Sequence, residues 1–168
     1  MANTSRPMGL KPRNIKDAET NQYVVTAAQV IVAGDVVSLD SAGTVIIGDS
    51  LPIGVAASNM VDSVDGSIKA TAEAGDTISI WDDPNEVFVG QISTFAATDP
   101  YTTSSSAACY DIAGATGVQY IDAAATSNDT FKIKRLSWEE NGKKSIAGAY
   151  AKVECRFNNL KHVYGVIA

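Results

Sequence analysis

Hydrophobic positions along this chain recur at every second residue far more often than at helical spacing. In Phe131-Lys132-Ile133-Lys134 apolar and basic residues alternate, and Ala149, Ala151, Val153, Cys155 and Phe157 alternate with Tyr150, Lys152, Glu154 and Arg156. A period of two gives a strand one buried and one wet face. Phe131, Ile133, Val153 and Phe157 are thereby expected in one core, with Lys132, Lys134, Lys152 and Arg156 on its outer face. Segments rich in β-branched residues and bounded by Gly, Asp, Asn and Ser predict further strands. They are Gln22 to Val32, Asp35 to Leu39, Thr44 to Ile47, Ile53 to Ala57, Ser67 to Ala72, Asp76 to Trp81, Val87 to Ile92, Thr130 to Trp138 and Ala149 to Phe157. No window sustains a long apolar pattern at helical spacing.

Turn chemistry separates these runs. Ala-Gly-Asp occurs at 33 to 35 and again at 74 to 76, each time ahead of a strand. Glycine supplies the positive φ of a tight turn and aspartate bonds back to the turn backbone, so both read as hairpin turns. Asn141-Gly142 is the dipeptide most favoured in two-residue hairpins. Residues 96 to 130, with Thr102 to Ala108 and Ala123 to Asn128, are small and polar and read as long surface loops around short strands near Ala108 to Ile112 and Val118 to Ile121. The segment to Thr20, holding Pro7, Gly9 and Pro12, reads as an extended arm without regular structure. The expected fold is all-β: an arm over residues 1–21, then one small barrel or sandwich-like domain over 22–168 with a loop-rich insertion around 96–130.

Charge is unevenly spread. The chain has 168 residues and a net charge of −6. Residues 1–23 carry four bases and two acids, residues 24–130 one base and 14 acids, and residues 131–168 eight bases and three acids. A nucleic-acid binder is expected to present a dense basic face on its folded body, so the acidic middle argues against DNA or RNA. Basic ends and an acidic middle instead suit complementarity between copies, or with another protein. The longest apolar stretch, Tyr23 to Ala33, is too short and too interrupted for a membrane helix. The first twenty residues lack a signal-peptide core, which gives no expectation of secretion.

Candidate chemistry is sparse. Gly48-Asp49-Ser50-Leu51 spells a serine-esterase signature, but Pro52 and a strand-like run follow the serine where that family places a helix. The sole histidine, His162, has Asn159 three residues before it instead of aspartate. One histidine and two distant cysteines close no tetrahedral zinc site. Asp82, Asp83 and Glu86 lack the calcium-loop pattern and read as a turn with Pro84 at its second position. Cys155 falls on the apolar face of its strand, and without a signal peptide both it and Cys109 are expected as thiols. No cofactor is expected.

The opening Asn3-Thr4-Ser5-Arg6-Pro7-Met8-Gly9-Leu10-Lys11-Pro12, the stretch Asp82 to Gln91, and the close through Phe157-Asn158-Asn159 to His162 resemble head decoration, or cement, proteins of tailed bacteriophages. The block from Val32 to Ala57, with its Gly-Asp turn and Ile53-Gly54-Val55-Ala56, resembles the same group. The resemblance implies a non-enzymatic virion protein on the outer face of a capsid, assembled in the host cytoplasm. Its partners would be the major capsid protein and, as dimer or trimer, copies of itself. The basic residues of the arm, Arg6, Lys11, Arg13 and Lys16, are expected to reach the shell or a neighbouring subunit and to act in assembly, not in folding. Two other functions follow from the residues: attachment, in which the polar loops at 96 to 130 bind host glycan or surface protein with Tyr101, Tyr110 and Tyr120 available to stack on sugars, and, last, ester hydrolysis by Ser50.

Overall fold

A computed structural model describes residues 8–48, 50–95, 109–127, 130–137 and 145–158. Every regular element among them is a strand: β1 Lys11–Pro12, β2 Asn21–Val24, β3 Val36–Leu39, β4 Val45–Ile47, β5 Pro52–Ala56, β6 Met60–Val61, β7 Ile68–Lys69, β8 Thr77–Trp81, β9 Phe88–Gln91, β10 Cys109–Ala113, β11 Tyr120–Asp122, β12 Phe131–Leu136 and β13 Lys152–Phe157. The fold is all-β, as the alternation predicts. One sheet is ordered β1-β9-β13-β12-β10-β11 and the other β4-β3-β5-β8-β6-β7, with β2 on the remaining side of β8.

Both sheets curl by the same route. In the first half β2 pairs β8, β8 pairs β5, β5 pairs β3 and β3 pairs β4, all antiparallel, and Val25 then meets Val45 of β4 in a parallel bridge. In the second half β9 pairs β13, β13 pairs β12, β12 pairs β10 and β10 pairs β11, and Ile92 meets Ile121 of β11 in a parallel bridge. The closing bonds correspond as well: Thr26 N–H donates to the Val45 carbonyl at 2.9 Å, and Ser93 N–H to the Ile121 carbonyl at 2.9 Å. The chain thus traces one five-strand ring twice. The first copy carries an extra hairpin, β6–β7, between its fourth and fifth strands.

Each ring has its own apolar filling. Val25, Val37, Val45, Ile53, Ala56, Ile78 and Ile80 belong to the first. Phe88, Ile92, Ile121, Phe131, Ile133, Val153, Cys155 and Phe157 belong to the second, together with Val36, Val55 and Trp81 from the opposite face of the first ring. β5 is consequently buried along its whole length. Phe131 and Phe157 face each other across β12 and β13 with ring centroids 4.5 Å apart, and Phe88 meets Phe157 edge-on at 5.5 Å.

Several expectations are revised. The strand foreseen over Gln22 to Val32 ends at Val24 plus the Val25 bridge, because Ala28 takes a φ of 65° and Ala28 and Gln29 bond to Ala72 instead of to a strand. Ser67 to Ala72 keeps only β7. The two Ala-Gly-Asp sites do adopt one shared turn, with Gly34 and Gly75 at φ of 97° and 94° and each aspartate accepting from the N–H three residues back, Val32 and Glu73. They open strands β3 and β8 without joining paired strands, so they are not hairpin turns. Residues 114–119 are no loose surface loop. Asp35 Oδ1 accepts from Gly117 N–H at 2.8 Å, and the buried Gln119 Oε1 accepts from Val36 N–H at 2.7 Å, locking this loop onto the first ring.

The N-terminal segment differs most from expectation. Residues 8–13 strap the two rings together, with Gly9 N–H donating to Gln119, Leu10 N–H to Gly34 and Arg13 N–H to Val87. Leu10, 1% exposed, sits against Gly90, where β9 has no side chain to fill the space. Sequence alone showed too few apolar residues here to fold, but two of them, Leu10 and Pro12, are enough to dock the segment on a core already made.

Candidate functional site

Lys11 pairs in register with Val89, Val89 with Glu154, and Glu154 with Arg135, so these four residues form one row across β1, β9, β13 and β12. Residues paired in register share a sheet face, and this is the face away from Phe131, Ile133 and Cys155. Lys152, two residues before Glu154, and Arg156, two after it, lie on the same face. Arg156 is paired with Lys132. A bulge between Ile133 and Arg135 leaves Lys134 exposed and returns Leu136 to the core.

Glu154 corrects the simple alternation. It points away from the core as expected, yet it is 3% exposed, because two arginines close over it: Arg135 Nε at 2.8 Å from Oε2 and Arg13 Nε at 3.4 Å from Oε1. A carboxylate withdrawn from water requires such partners. Arg13, expected to reach a partner, is therefore also a clamp that ties the N-terminal segment to β13. Lys11 and Lys16 are exposed, alongside Met8 at 78% and Ile15 at 60% exposure. Arg6 lies outside the described residues.

Seven of the 13 basic residues, Lys11, Arg13, Lys132, Lys134, Arg135, Lys152 and Arg156, are gathered on this one sheet. The body does carry a dense basic face, which the linear charge tally did not reveal. Its counterpart is the first ring. From residue 21 to 81 Lys69 is the single base against seven acids. The β6–β7 hairpin holds Asp62 and Asp65, with Glu73 just beyond it bound to Lys69 at 3.4 Å, and carries two strongly exposed apolar residues, Val64 at 93% and Ile68 at 73%. Its tip is held by its own bonds: Asp62 accepts from Val64 N–H at 2.6 Å and from Lys69 Nζ at 2.8 Å, and Asp65 accepts from Ser67 N–H at 2.8 Å. These contacts hold the Asp62 carboxyl down at about 2, the Lys69 ammonium first among them.

The other candidates occupy structural positions. Ser50 lies exposed in a bend two residues before β5, with no helix following it, and Asp49, Asn159 and His162 lie outside the described residues. Asp82 accepts two bonds from Asn21 and one from Tyr23 Oη, at 2.5 Å. Asp83 caps the expected turn through Pro84, its carbonyl accepting from Glu86 N–H at 3.0 Å. Among the described residues no group of three His, Cys, Asp or Glu is placed to hold a metal. Tyr110 is 8% exposed and belongs to the core, which removes it from a glycan-binding surface. Tyr101, the loop 96–108 and Asn141-Gly142 lie outside the described residues. Neither Cys109 nor Cys155 is in a disulfide. Cys109 is paired with Lys132 and Cys155 with Ile133, so the two thiols lie on opposite sheet faces. Burial pushes the Cys155 thiol far above its ordinary range, with the Glu154 charge adding to it.

No protein-family model and no curated protein matches the chain.

Sequence reasoning missed Arg135 and Glu154 as partners of Arg13, and it missed the β6–β7 knob. The acidic run with Gly66 marks a turn, but nothing local says that Val64 and Ile68 face water.

Proposed function

We propose that this protein is a non-enzymatic virion structural protein that binds the outer surface of a tailed-phage capsid and stabilises or decorates it, with the major capsid protein as partner. The observation that carries this reading is the edge formed by residues 8–16. Met8 and Ile15 stand exposed beside the exposed Lys11 and Lys16, on a segment held to the body by Leu10 and Arg13. A pre-positioned edge that mixes apolar and cationic groups pays little ordering entropy on docking, and its charges steer it toward an anionic shell. Repetition over a lattice adds avidity to individually weak contacts.

Cosedimentation with undecorated capsids tests the reading. The wild-type chain is expected to pellet with the shells to a saturating copy number. Ile15→Ser/Lys16→Glu should weaken occupancy and flatten its salt dependence while leaving the melting temperature near that of the wild type. No saturable binding to shells, or full occupancy by the double variant across a salt series, would defeat the proposal.

A further inference from the structure

The basic sheet face and the acidic hairpin are at once opposite in charge and on different rings of one molecule. The N-terminal edge assigned to the shell is at β1, while Lys132 and Arg156 lie on β12 and β13, two to three strand spacings further across the sheet, roughly 10–14 Å away. No ion pair holds Lys132, Lys152 or Arg156 among the described residues. Asp65 at the hairpin tip is exposed, as is Glu73, which lies four residues beyond β7 and is tied to it through Lys69 at 3.4 Å, and Val64 and Ile68 are 93% and 73% exposed.

We propose that copies of this chain associate head to tail, the β6–β7 hairpin of one copy seating on the Lys132, Lys152 and Arg156 side of the β12–β13 face of the next. Asp65 and Glu73 meet the basic residues, and Val64 and Ile68 pack along the aliphatic stems of the lysines. Two features of the molecule favour a second copy as the occupant. The charges of hairpin and face are complementary. Among the described residues the hairpin is also the one element by which the first ring departs from the second, an addition to a ring that is otherwise complete. Because the two surfaces differ, the contact is heterologous and repeats from copy to copy, closing into a ring or extending as a row. The inference goes beyond the shell contact and does not need it.

Sedimentation velocity of the purified chain in about 30 mM and about 500 mM salt reads the association, since exposed charge contacts weaken once screening shortens to a few ångströms. Wild type is expected to associate at low salt and dissociate at high salt. Lys132→Glu/Arg156→Glu and Asp65→Lys/Glu73→Lys should each raise the dissociation constant by about tenfold or more at low salt. An equimolar mixture of the two variants should associate again, strictly one to one, because each face then meets a hairpin of opposite charge. Unchanged melting temperatures exclude misfolding as the cause. A wild type that stays monomeric at low salt, variants that associate as the wild type does, or a mixture that stays dissociated would each overturn the proposal. So would a face that binds a short DNA duplex while the wild-type chain remains monomeric.

Discussion

Gly9 and Gly34 lie back to back: a Cβ on Gly9 would sit 2.3 Å from the Gly34 carbonyl oxygen, and one on Gly34 would sit 2.8 Å from the Met8 carbonyl oxygen. Both take positive φ, 71° and 97°, which favours glycine, and the next residue, Leu10, donates its N–H to Gly34 at 2.8 Å. The first turn of the first ring is therefore also the seat of the N-terminal strap.

Stability should depend on that strap. Gly9→Ala is expected to cost about 1–3 kcal/mol from left-handed strain alone, with the backbone collision added. Leu10→Ala should cost about 2–5 kcal/mol as a core truncation. Deleting residues 2–16 should lower the melting temperature clearly, contrary to the expectation that this segment serves assembly alone. Chemical denaturation of the three variants checks this, and an unchanged midpoint for all three would mean the strap is not docked in solution.

Phe157→Ala should cost roughly 3–5 kcal/mol, because Phe157 is fully buried between Phe88 and Phe131. Lys134→Ala should change stability by no more than about 0.5 kcal/mol, since Lys134 is exposed at the bulge. Urea titration ranks the two, and the opposite order would invert the assignment of faces on β12 and β13.

Alkylation of the denatured protein without reductant should add two labels, one at each cysteine. In the native protein Cys109, which is partly exposed, should react well before Cys155, which is buried with a strongly raised thiol pKa. Mass spectrometry over time separates the sites. Faster labelling of Cys155 would contradict the packing of the second ring.

Asp40 ties the β3–β4 turn to the end of β2. Its carboxylate accepts from Ala42 and Thr44 N–H groups and from the Thr26 and Thr44 hydroxyls, and these bonds hold its pKa at about 2. A folded-state pKa below the unfolded value contributes stability that is present above the unfolded value, 3.8, and lost as pH falls toward about 2. Asp62, also held at about 2, acts in the same window. Asp35 acts oppositely: burial raises its pKa, so its proton binds more tightly in the folded state and acid favours the fold at that site. Denaturation midpoints measured from pH 5 to pH 2 should fall, and Asp40→Asn should flatten the fall. An identical slope in wild type and variant would remove Asp40 from the acid response.

The sequence by itself determined what is local. Period-two alternation was enough to place strands at Phe131, Ile133, Val153 and Phe157 and to sort core from surface there, because a pleated backbone sends neighbouring side chains to opposite faces wherever it is extended. Glycine before aspartate marked both strand-opening turns for a similarly local reason, the demand for positive φ. Which strands become neighbours was decided only in the tertiary structure, since pairing depends on contacts between residues far apart in sequence. No local pattern brings Lys11 beside Val89, Val89 beside Glu154 and Glu154 beside Arg135, yet that row sets Arg135 and, just past β1, Arg13 over Glu154 and converts two basic chain ends into one basic face. The repeated ring is hidden for the same reason: its two halves share a path of hydrogen-bonded neighbours and closing bridges at Val45 and Ile121, and backbone pairing between distant segments leaves no local pattern in the side chains.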